Sequence, residues 1–408
     1  MGKKGLYTYT LTLLGIRIAT PELNIKPKFN SSRYVRILDT TLRDGEQTPG
    51  VALKPDDKLR IALALEELGV DSIEAGFPIT SKGEFLAVKM IASEVRSAEV
   101  IALSRTRKDD IDRVLDSGAD AIHLFIATSD IHMKYKLGMS PEEVIERAVT
   151  AVEYAKSHGL IVEFSAEDST RSRWEFLVKI FQEVVSAGAD RIDIADTVGV
   201  MRPSLMSELV KYIKDRVRGN YILSVHCHND FGMAVANSVA AVESGADQVH
   251  VTVLGVGERA GNAALEEVVA ALTFLAGFKT NIRLELIAST AELVSELFGF
   301  EIQPNKPIVG INAFSHESGI HVHGVLSNPL TYEPIDPAII GMKRRIVIGK
   351  HSGKHAIAYM LKQLGVEPNE HIVNEVLMRI KELGDAGRRI DYEEFLNIVK
   401  SVVGTANG

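Results

Sequence analysis

The chain has little of three things: cysteine, net positive charge and long apolar runs. Cys227 is the only cysteine among 408 residues, so no internal disulfide can form, and a reducing compartment, the cytoplasm, is expected. The net charge of -8 argues against general affinity for nucleic acid or for an anionic membrane surface. No apolar run reaches the length of about 18 residues that a membrane-spanning helix needs, so no membrane span is predicted.

What the chain does have is a regular alternation of short apolar runs and amphipathic stretches from Val35 to about Gly277. This alternation is typical of parallel βα units, and eight near-continuous apolar strands favour a closed (β/α)8 TIM barrel over an open sheet. The eight predicted strands are Val35–Asp39, Ser72–Ala75, Val100–Leu103, Ala121–Ile126, Ile161–Ser165, Arg191–Ala195, Ile222–His226 and Gln248–Val253.

A short Gly-x-Asp signature recurs where a predicted helix ends and the next strand begins. It occurs at Gly69–Asp71, Gly118–Asp120, Gly188–Asp190 and Gly245–Asp247. Glycine after the last helical turn is typical of a left-handed cap. Four copies of one joint indicate a single repeating architecture.

The pattern predicts four segments. Residues 1–34 alternate threonine with apolar residues in part and are expected to form an edge strand or a loose extension. Residues 35–280 form the barrel. Residues 281–350 are broken by prolines and are expected to form a linker or lid, and residues 351–408 are expected to form a helical subdomain.

Polar residues gather at the C-terminal ends of the predicted strands, where a TIM barrel carries its chemistry. His226 and His228 are two residues apart on the seventh strand, so both imidazoles point the same way, into the barrel mouth. With Asp44 after the first strand they suit a divalent metal such as Zn, Mn or Mg. The alternative is a polar strand end without a metal. Cys227 is expected to be a buried structural thiol rather than a ligand.

Two further strand-end residues have open roles. Arg43 either forms a local ion pair with Asp44 or holds negative charge that develops on a substrate oxygen. Glu167 lies two residues beyond Ser165 and is either a base or positioning group, or a solvated carboxylate at the rim.

Several other motifs give weaker evidence about function. The glycine spacing of Gly255–Gly261 is too long for a dinucleotide fingerprint, and Gly349–Lys354 lacks a residue of the P-loop. The basic run Lys343–Arg345 with Lys350 and Lys354 is typical of a solvated surface, with contact to the phosphates of CoA left open. On pattern alone, His321, His323 and Tyr332 are more typical of loop residues than of catalysts.

Three long motifs in sequence order carry a family resemblance. Leu38–Gln47 (LDTTLRDGEQ), Val225–Asp230 (VHCHND) and Gly257–Asn262 (GERAGN) are similar to those of the 2-isopropylmalate, homocitrate and citramalate synthases. The resemblance runs from Val35 to the C-terminus. It implies condensation of acetyl-CoA with a small 2-oxoacid, metal dependence and a role in amino-acid biosynthesis.

The resemblance also implies a role for each matching residue. Asp44, His226, His228 and Asn262 correspond to metal ligands. Arg43 corresponds to the group that polarises the keto oxygen, with Gln47 nearby. Ser165 and Thr197 are assigned to substrate binding, Thr197 at the 2-oxoacid carboxylate, and Glu167 is assigned to the handling of acetyl-CoA.

His321 and Tyr332 correspond to a catalytic pair that relatives supply from the neighbouring subunit, which implies a homodimer with shared active sites. His323 stands where relatives usually carry aspartate, which puts any role there in doubt. The chain stops at Gly408 without the regulatory domain of feedback-inhibited relatives, so leucine feedback is not expected.

The 2-oxoacid is expected to be 2-oxoisovalerate, as in the 2-isopropylmalate synthases of leucine biosynthesis. Glu163 replaces the arginine with which lysine-pathway homocitrate synthases bind the distal carboxylate of 2-oxoglutarate, and it is expected to repel that dianion. Homocitrate synthase and citramalate synthase remain alternatives. A metal-dependent aldolase or lyase on the same barrel is the alternative from another class, and it should lack the His321/Tyr332 segment.

Overall fold

The computed structural model describes residues 10–13, 16–19 and 33–406. The chain divides into two compact units. One unit spans Lys26–Ile302 and contains the barrel, and the other contains the N-terminal hairpin and the chain from Gln303 onward.

Eight parallel strands close into a barrel, so the predicted TIM barrel is confirmed. The barrel closes where the last strand pairs with the first, with Gln248 opposite Arg36 and Val251 opposite Asp39. Each predicted strand is present, with ends shifted by one or two residues. The strands are β1 (Arg36–Asp39), β2 (Ser72–Glu74), β3 (Glu99–Arg105), β4 (Ala121–Ala127), β5 (Ile161–Glu167), β6 (Arg191–Asp196), β7 (Ile222–Cys227) and β8 (Gln248–Val251).

Helices of the barrel unit cover the outside of the strands with one apolar face. In the first of them, Ile61, Leu65 and Leu68 are fully buried at helical spacing. The helices are α1 (Pro55–Leu68), α2 (Lys82–Glu94), α3 (Lys108–Ser117), α4 (Pro141–Ser157), α5 (Trp174–Ser186), α6 (Pro203–Arg216), α7 (Ala234–Glu243), α8 (Leu265–Ala270) and α9 (Ile287–Phe298). Shorter helical turns are Gly45–Gln47, Asp130–His132, Met133–Leu137, Ser169–Arg171, Val253–Gly255, Ala271–Leu275 and Leu284–Leu286.

The Gly-x-Asp joints repeat one structural solution. All four glycines have the positive φ of a left-handed cap, between 78° at Gly118 and 123° at Gly245. The aspartate of each joint then accepts a hydrogen bond from a backbone N–H of the preceding strand. The four bonds run from Ile37 N to Asp71, from Val100 N to Asp120, from Val162 N to Asp190 and from Leu223 N to Asp247, at 2.7 to 3.1 Å. The motif therefore links neighbouring strands at the base of the barrel.

The second unit has its own apolar core, which includes Val322, Ile357, Leu361, Val376 and Phe395. Its helices are α10 (Gly319–Ser327), α11 (Lys354–Gln363), α12 (Glu370–Asp385) and α13 (Tyr392–Ala406), with short turns at Pro329–Thr331 and Pro337–Ile340. Ser315–His316 pairs with Arg345–Ile346 in a two-stranded parallel sheet. Val322 lies in the same core as the last three helices, so α10 and the C-terminal helices pack as one body.

The predicted N-terminal extension, residues 1–34, lies largely outside the described residues. Within it, Thr10–Leu13 pairs antiparallel with Ile16–Ala19. In the described part of the chain, no helix combines the length and apolar character needed to cross a membrane.

Candidate functional site

A cavity of about 310 Å³ opens at the C-terminal ends of the barrel strands. Its wall brings together most of the residues predicted from the strand ends. The lining residues are Arg43, Asp44, Gln47, Phe77, Leu103, His123, Phe125, Lys136, Ser165, Glu167, Asp193, Ala195, Thr197, His226, His228, Glu258 and Arg259.

Three of the predicted metal ligands converge on one point of this wall. The Asp44 Oδ2 atom lies 3.8 Å from the Nε2 atoms of both His226 and His228. These two Nε2 atoms are 3.3 Å apart. All three side chains are buried, with exposed fractions of 3% to 6%. A carboxylate and two imidazoles directed at one point are a donor set for a divalent cation.

Asn262, the fourth predicted ligand, contacts Asp44 from the loop after β8. Its Nδ2 donates to Asp44 Oδ1 at 2.7 Å, while its buried Oδ1 has no hydrogen-bond partner. Gly257 closes over the same place with φ at +151°, and a Cβ there would lie 2.1 Å from Asn262 Nδ2 and 2.8 Å from Asp44 Oδ1. Only glycine fits in this position. An oxygen without a partner beside the three donors fits the Asn262 assignment, which remains a prediction.

The electrostatics favour the forms that bind metal. Burial alone would raise the pKa of Asp44, but Arg43 and the two imidazoles hold it below its usual value. Burial, and for His226 also the charge of the neighbouring imidazole, lowers the pKa of both histidines. The carboxylate is therefore charged and the imidazoles are neutral near pH 7, as metal coordination requires.

Arg43 forms an ion pair with Asp44, which was one of the two roles expected from its sequence position. It also forms a second ion pair, with Glu74, which the sequence did not indicate. Its Nη1 lies 2.6 Å from Asp44 Oδ2 and its Nε lies 2.6 Å from Glu74 Oε2 at the end of β2. The guanidinium also lines the cavity. Two carboxylates thus fix its orientation beside the candidate metal site.

A buried polar chain continues from Glu74 across the barrel. The His123 Nδ1 atom lies 2.7 Å from Glu74 Oε1, and its Nε2 lies 2.6 Å from Ser165 Oγ. Ser165 in turn donates to Asp193. Sequence reasoning missed Glu74, His123 and Asp193. His123 is the single polar residue of β4, which was an available signal, whereas Glu74 and Asp193 share their strands with other polar residues.

Deeper in the barrel lies a second polar layer that includes Glu163. This carboxylate is fully buried and accepts hydrogen bonds from Gln248 Nε2 and pairs with His250 and Arg191. It does not line the cavity. The repulsion of a distal substrate carboxylate expected from Glu163 therefore has no support, because its charge is paired below the cavity. Asp193, by contrast, is buried and does line the wall.

The other predicted barrel residues also line the cavity. Gln47 is exposed at the end of the turn Gly45–Gln47. Thr197 accepts a hydrogen bond at its Oγ1 from Asp168 N at 2.8 Å. Glu167 forms an ion pair with Lys136. Their substrate roles remain predictions.

His321 and Tyr332 lie in the second unit. Their rings stack on each other with centroids 4.0 Å apart and an angle of 18° between the planes. Both side chains are exposed. His323 instead packs against His355, with ring centroids 4.2 Å apart and an angle of 37° between the planes. The structure thus brings the predicted pair together, and their catalytic role remains a prediction.

Of the basic residues proposed for CoA phosphates, three have acidic partners. Arg344 forms an ion pair with Glu333, Lys350 with Asp385 and Lys354 with Glu370.

Cys227 is buried as expected, and burial raises the pKa of its thiol.

The buried Asp39 gives a pH-dependence prediction. Burial raises the pKa of Asp39 from 3.8 to about 7. Because the folded state keeps this proton while the unfolded state loses it, stability falls as pH rises from about 4 to about 7, by up to about 4 kcal/mol. Asp39→Asn removes this loss, so we expect the variant to gain stability relative to the wild type across that range. Urea unfolding of both proteins at several pH values measures the difference, and a difference independent of pH would contradict the assignment.

Two sequence models of protein families match this chain. Residues 34–294 match the sequence model of the family described as HMGL-like. Residues 308–388 match the model described as homocitrate synthase post-HMGL domain-like.

The chain belongs to the HMGL-like family. Within this family it groups with the 2-isopropylmalate, citramalate and homocitrate synthases. It is 58% identical over 393 residues to a probable 2-isopropylmalate synthase of Ignicoccus hospitalis, covering 96% of this chain and 97% of that protein. It is 54% identical to the (R)-citramalate synthase CimA of Methanocaldococcus jannaschii, over 91% of this chain and 74% of that protein. It is also 54% identical to the homocitrate synthase AksA of Methanopyrus kandleri, over 90% of this chain and 92% of that protein.

Among solved structures, a Bacillus subtilis HMG-CoA lyase aligns with a TM-score of 0.60 at 21% sequence identity. The alignment covers 66% of this chain and 95% of that one. At this level of identity the likeness concerns the barrel fold alone.

Proposed function

We propose that this member of the HMGL-like family condenses acetyl-CoA with a 2-oxoacid and releases CoA, with 2-oxoisovalerate as the preferred acceptor. The observation that carries the proposal is the convergence of Asp44, His226 and His228 beside the Arg43 guanidinium in one cavity. The relatives above, named 2-isopropylmalate, citramalate and homocitrate synthase, support this class of reaction.

Asp44, His226 and His228, with Asn262, would hold the metal. When bound, the divalent cation supplies a Lewis acid for the keto oxygen and a template for the 2-oxoacid. Arg43, held by Asp44 and Glu74, holds the negative charge that grows on the keto oxygen. Thr197 positions the substrate carboxylate, and Gln47 and Ser165, which line the same cavity, contribute to substrate binding.

Proton removal from the acetyl methyl group needs a base. His321 is our candidate, because imidazole titrates near working pH, and Tyr332 stacks on it. Both come from the partner subunit of a proposed homodimer. Glu167 positions acetyl-CoA at the rim. The enolate then attacks the keto carbon, and the alkoxide that forms takes up a proton in place of the one that the base removed. Water cleaves the thioester, which gives the carboxylic acid and free CoA.

The cavity wall favours an acceptor with an apolar side chain. Each cation in the wall already has a carboxylate partner: Arg43 pairs with Asp44 and Glu74, Lys136 with Glu167 and Arg259 with Asp230. Asp193 adds a buried acid, and Phe77, Leu103 and Phe125 add apolar surface. This wall disfavours the second carboxylate of 2-oxoglutarate and suits 2-oxoisovalerate, with pyruvate as the smaller alternative.

A lyase of the same barrel family is the alternative from another class. The stacked His321 and Tyr332 lie within residues 308–388, which match the post-HMGL model of homocitrate synthases. That segment supports condensation over cleavage.

A free-thiol assay of CoA release tests the proposal. The full-length protein, loaded with Mn²⁺, is given acetyl-CoA with 2-oxoisovalerate, pyruvate or 2-oxoglutarate in turn. We expect the highest kcat/KM with 2-oxoisovalerate and no release after treatment with EDTA. Preference for another 2-oxoacid would overturn the substrate assignment alone, whereas release with none of them would overturn the synthase.

A further inference from the structure

A fully buried lysine lies beneath the first two loops of the barrel mouth. Lys58, in the first turns of α1, is 1% exposed. Burial of an ammonium group costs several kcal/mol unless the charge is paired, and the N-terminal part of a helix disfavours a cation further. A lysine in this position therefore needs strong partners.

Two carboxylates supply them. The Lys58 Nζ atom lies 2.7 Å from Glu46 Oε2 and 2.7 Å from Glu84 Oε1. The second oxygen of each carboxylate accepts a backbone hydrogen bond at 3.1 Å, from Leu53 N at Glu46 and from Phe77 N at Glu84. Each of the four carboxylate oxygens thus accepts a hydrogen bond, two of them from Lys58 and two from backbone N–H groups.

The backbone beside these ion pairs has room only for a glycine, Gly76. Gly76 has φ at +151°, and a Cβ there would lie 2.4 Å from Glu84 Oε2 and 3.0 Å from Lys58 Nζ. Any other residue would push into the ion pairs.

The two carboxylates are attached to the loops that line the cavity. Glu46 lies in the turn Gly45–Gln47, two residues after the candidate metal ligand Asp44 and next to Gln47. Glu84 holds the backbone of Phe77, whose side chain is part of the cavity wall. Lys58 therefore ties the loop after β1 to the loop after β2.

We propose that Glu46 and Glu84, paired with the buried Lys58, form a latch that positions Asp44 and thereby sets the affinity of the site for its divalent cation. Lys58 is a positioning residue, because it acts on Asp44 through the backbone of the Gly45–Gln47 turn. The inference rests on the proposed function only through the metal site, and it does not depend on which 2-oxoacid is used.

The test compares two buried cations of similar surroundings. Lys58→Met removes the latch. Arg191→Met is the matched control: Arg191 is 4% exposed and pairs with Glu99 and Glu163, but it is the first residue of β6, at the end of the strands opposite the cavity. Mn²⁺ alone is titrated into each metal-stripped full-length protein, and thermal unfolding is recorded in parallel.

We expect Lys58→Met to weaken Mn²⁺ binding by about tenfold or more, as loss of outer support for metal ligands typically does, while Arg191→Met binds almost as the wild type does. Equal weakening in both variants, or lower thermal stability of Lys58→Met with unchanged affinity, would overturn the latch. A wild-type protein that binds no Mn²⁺ would instead overturn the metal centre of the proposed function.

If Lys58→Met does not fold, Glu46→Gln and Glu84→Gln decide the question. Each keeps the length of its side chain and one oxygen acceptor, but removes the negative charge and replaces the second oxygen by an NH2 group, which cannot accept a hydrogen bond. A reproducible loss of Mn²⁺ affinity in both variants supports the latch, and wild-type affinity in both overturns it.

Discussion

Replacement of His228 by alanine should lower metal-dependent CoA release by about 10³-fold, since Lewis-acid stabilisation is worth several kcal/mol. His228 offers its Nε2 at 3.8 Å from Asp44 and 3.3 Å from His226 Nε2. Without it, the site loses one of its two imidazoles, so binding of the divalent cation should weaken. Asp44→Ala should give a loss of the same order, because it also leaves Arg43 without one of its two carboxylates.

The measurement needs both turnover and metal content. Mn²⁺ titration should show weakened binding in both variants, and His158→Ala, at an exposed position outside the cavity, provides the control. If His228→Ala retains wild-type affinity for Mn²⁺ and wild-type kcat, His228 is not a metal ligand, and the proposed set of ligands is wrong.

Mixed dimers should recover activity that neither parent has. Arg43→Ala removes the guanidinium of the barrel site, and His321→Ala removes the proposed base of the second unit. Each parent should lose at least about 10²-fold in kcat, the usual effect of one catalytic proton-transfer or charge-stabilising group. When the two are mixed and reassembled at equal amounts, half of the dimers are hybrids, and each hybrid has one intact site if the partner supplies His321. Activity should therefore return to about a quarter of the wild-type value in a symmetric dimer.

Co-expression with two different affinity tags isolates the hybrid and makes the recovery quantitative. A mixture of Arg43→Ala with Asp44→Ala is the control, because both changes lie in the same barrel and no arrangement of subunits restores a complete site. Equal activity in the two mixtures would contradict shared sites, and His321 would then have no role in the neighbouring subunit.

Much of the site was predictable, because its chemistry lies at spacings that the chain itself defines. His226 and His228 are two residues apart on a strand, which alone directs both imidazoles to one side, and Asp44 follows the first strand of a barrel whose strand ends meet. The layer beneath was not predictable. Glu74, His123 and Asp193 lie on three different strands, and the partners of each depend on the register of neighbouring strands.

Lys58 and Glu163 are charged residues whose burial and partners could not be predicted from the sequence. In the sequence, Lys58 is an ordinary charged residue near a helix N-terminus, and only the packing of α1 against α2 reveals that it is buried between two carboxylates. Glu163 was expected to repel a substrate carboxylate, yet it pairs with His250 and Arg191 and accepts a hydrogen bond from Gln248 below the cavity.

The sequence by itself determined the eight strands, the Gly-x-Asp joints and the two histidines, because each depends on periodicity or on backbone conformation over a few residues. Only the tertiary structure decided which charges are paired and which face the cavity. Those pairings join residues distant in the chain, and closing the barrel fixes their distances.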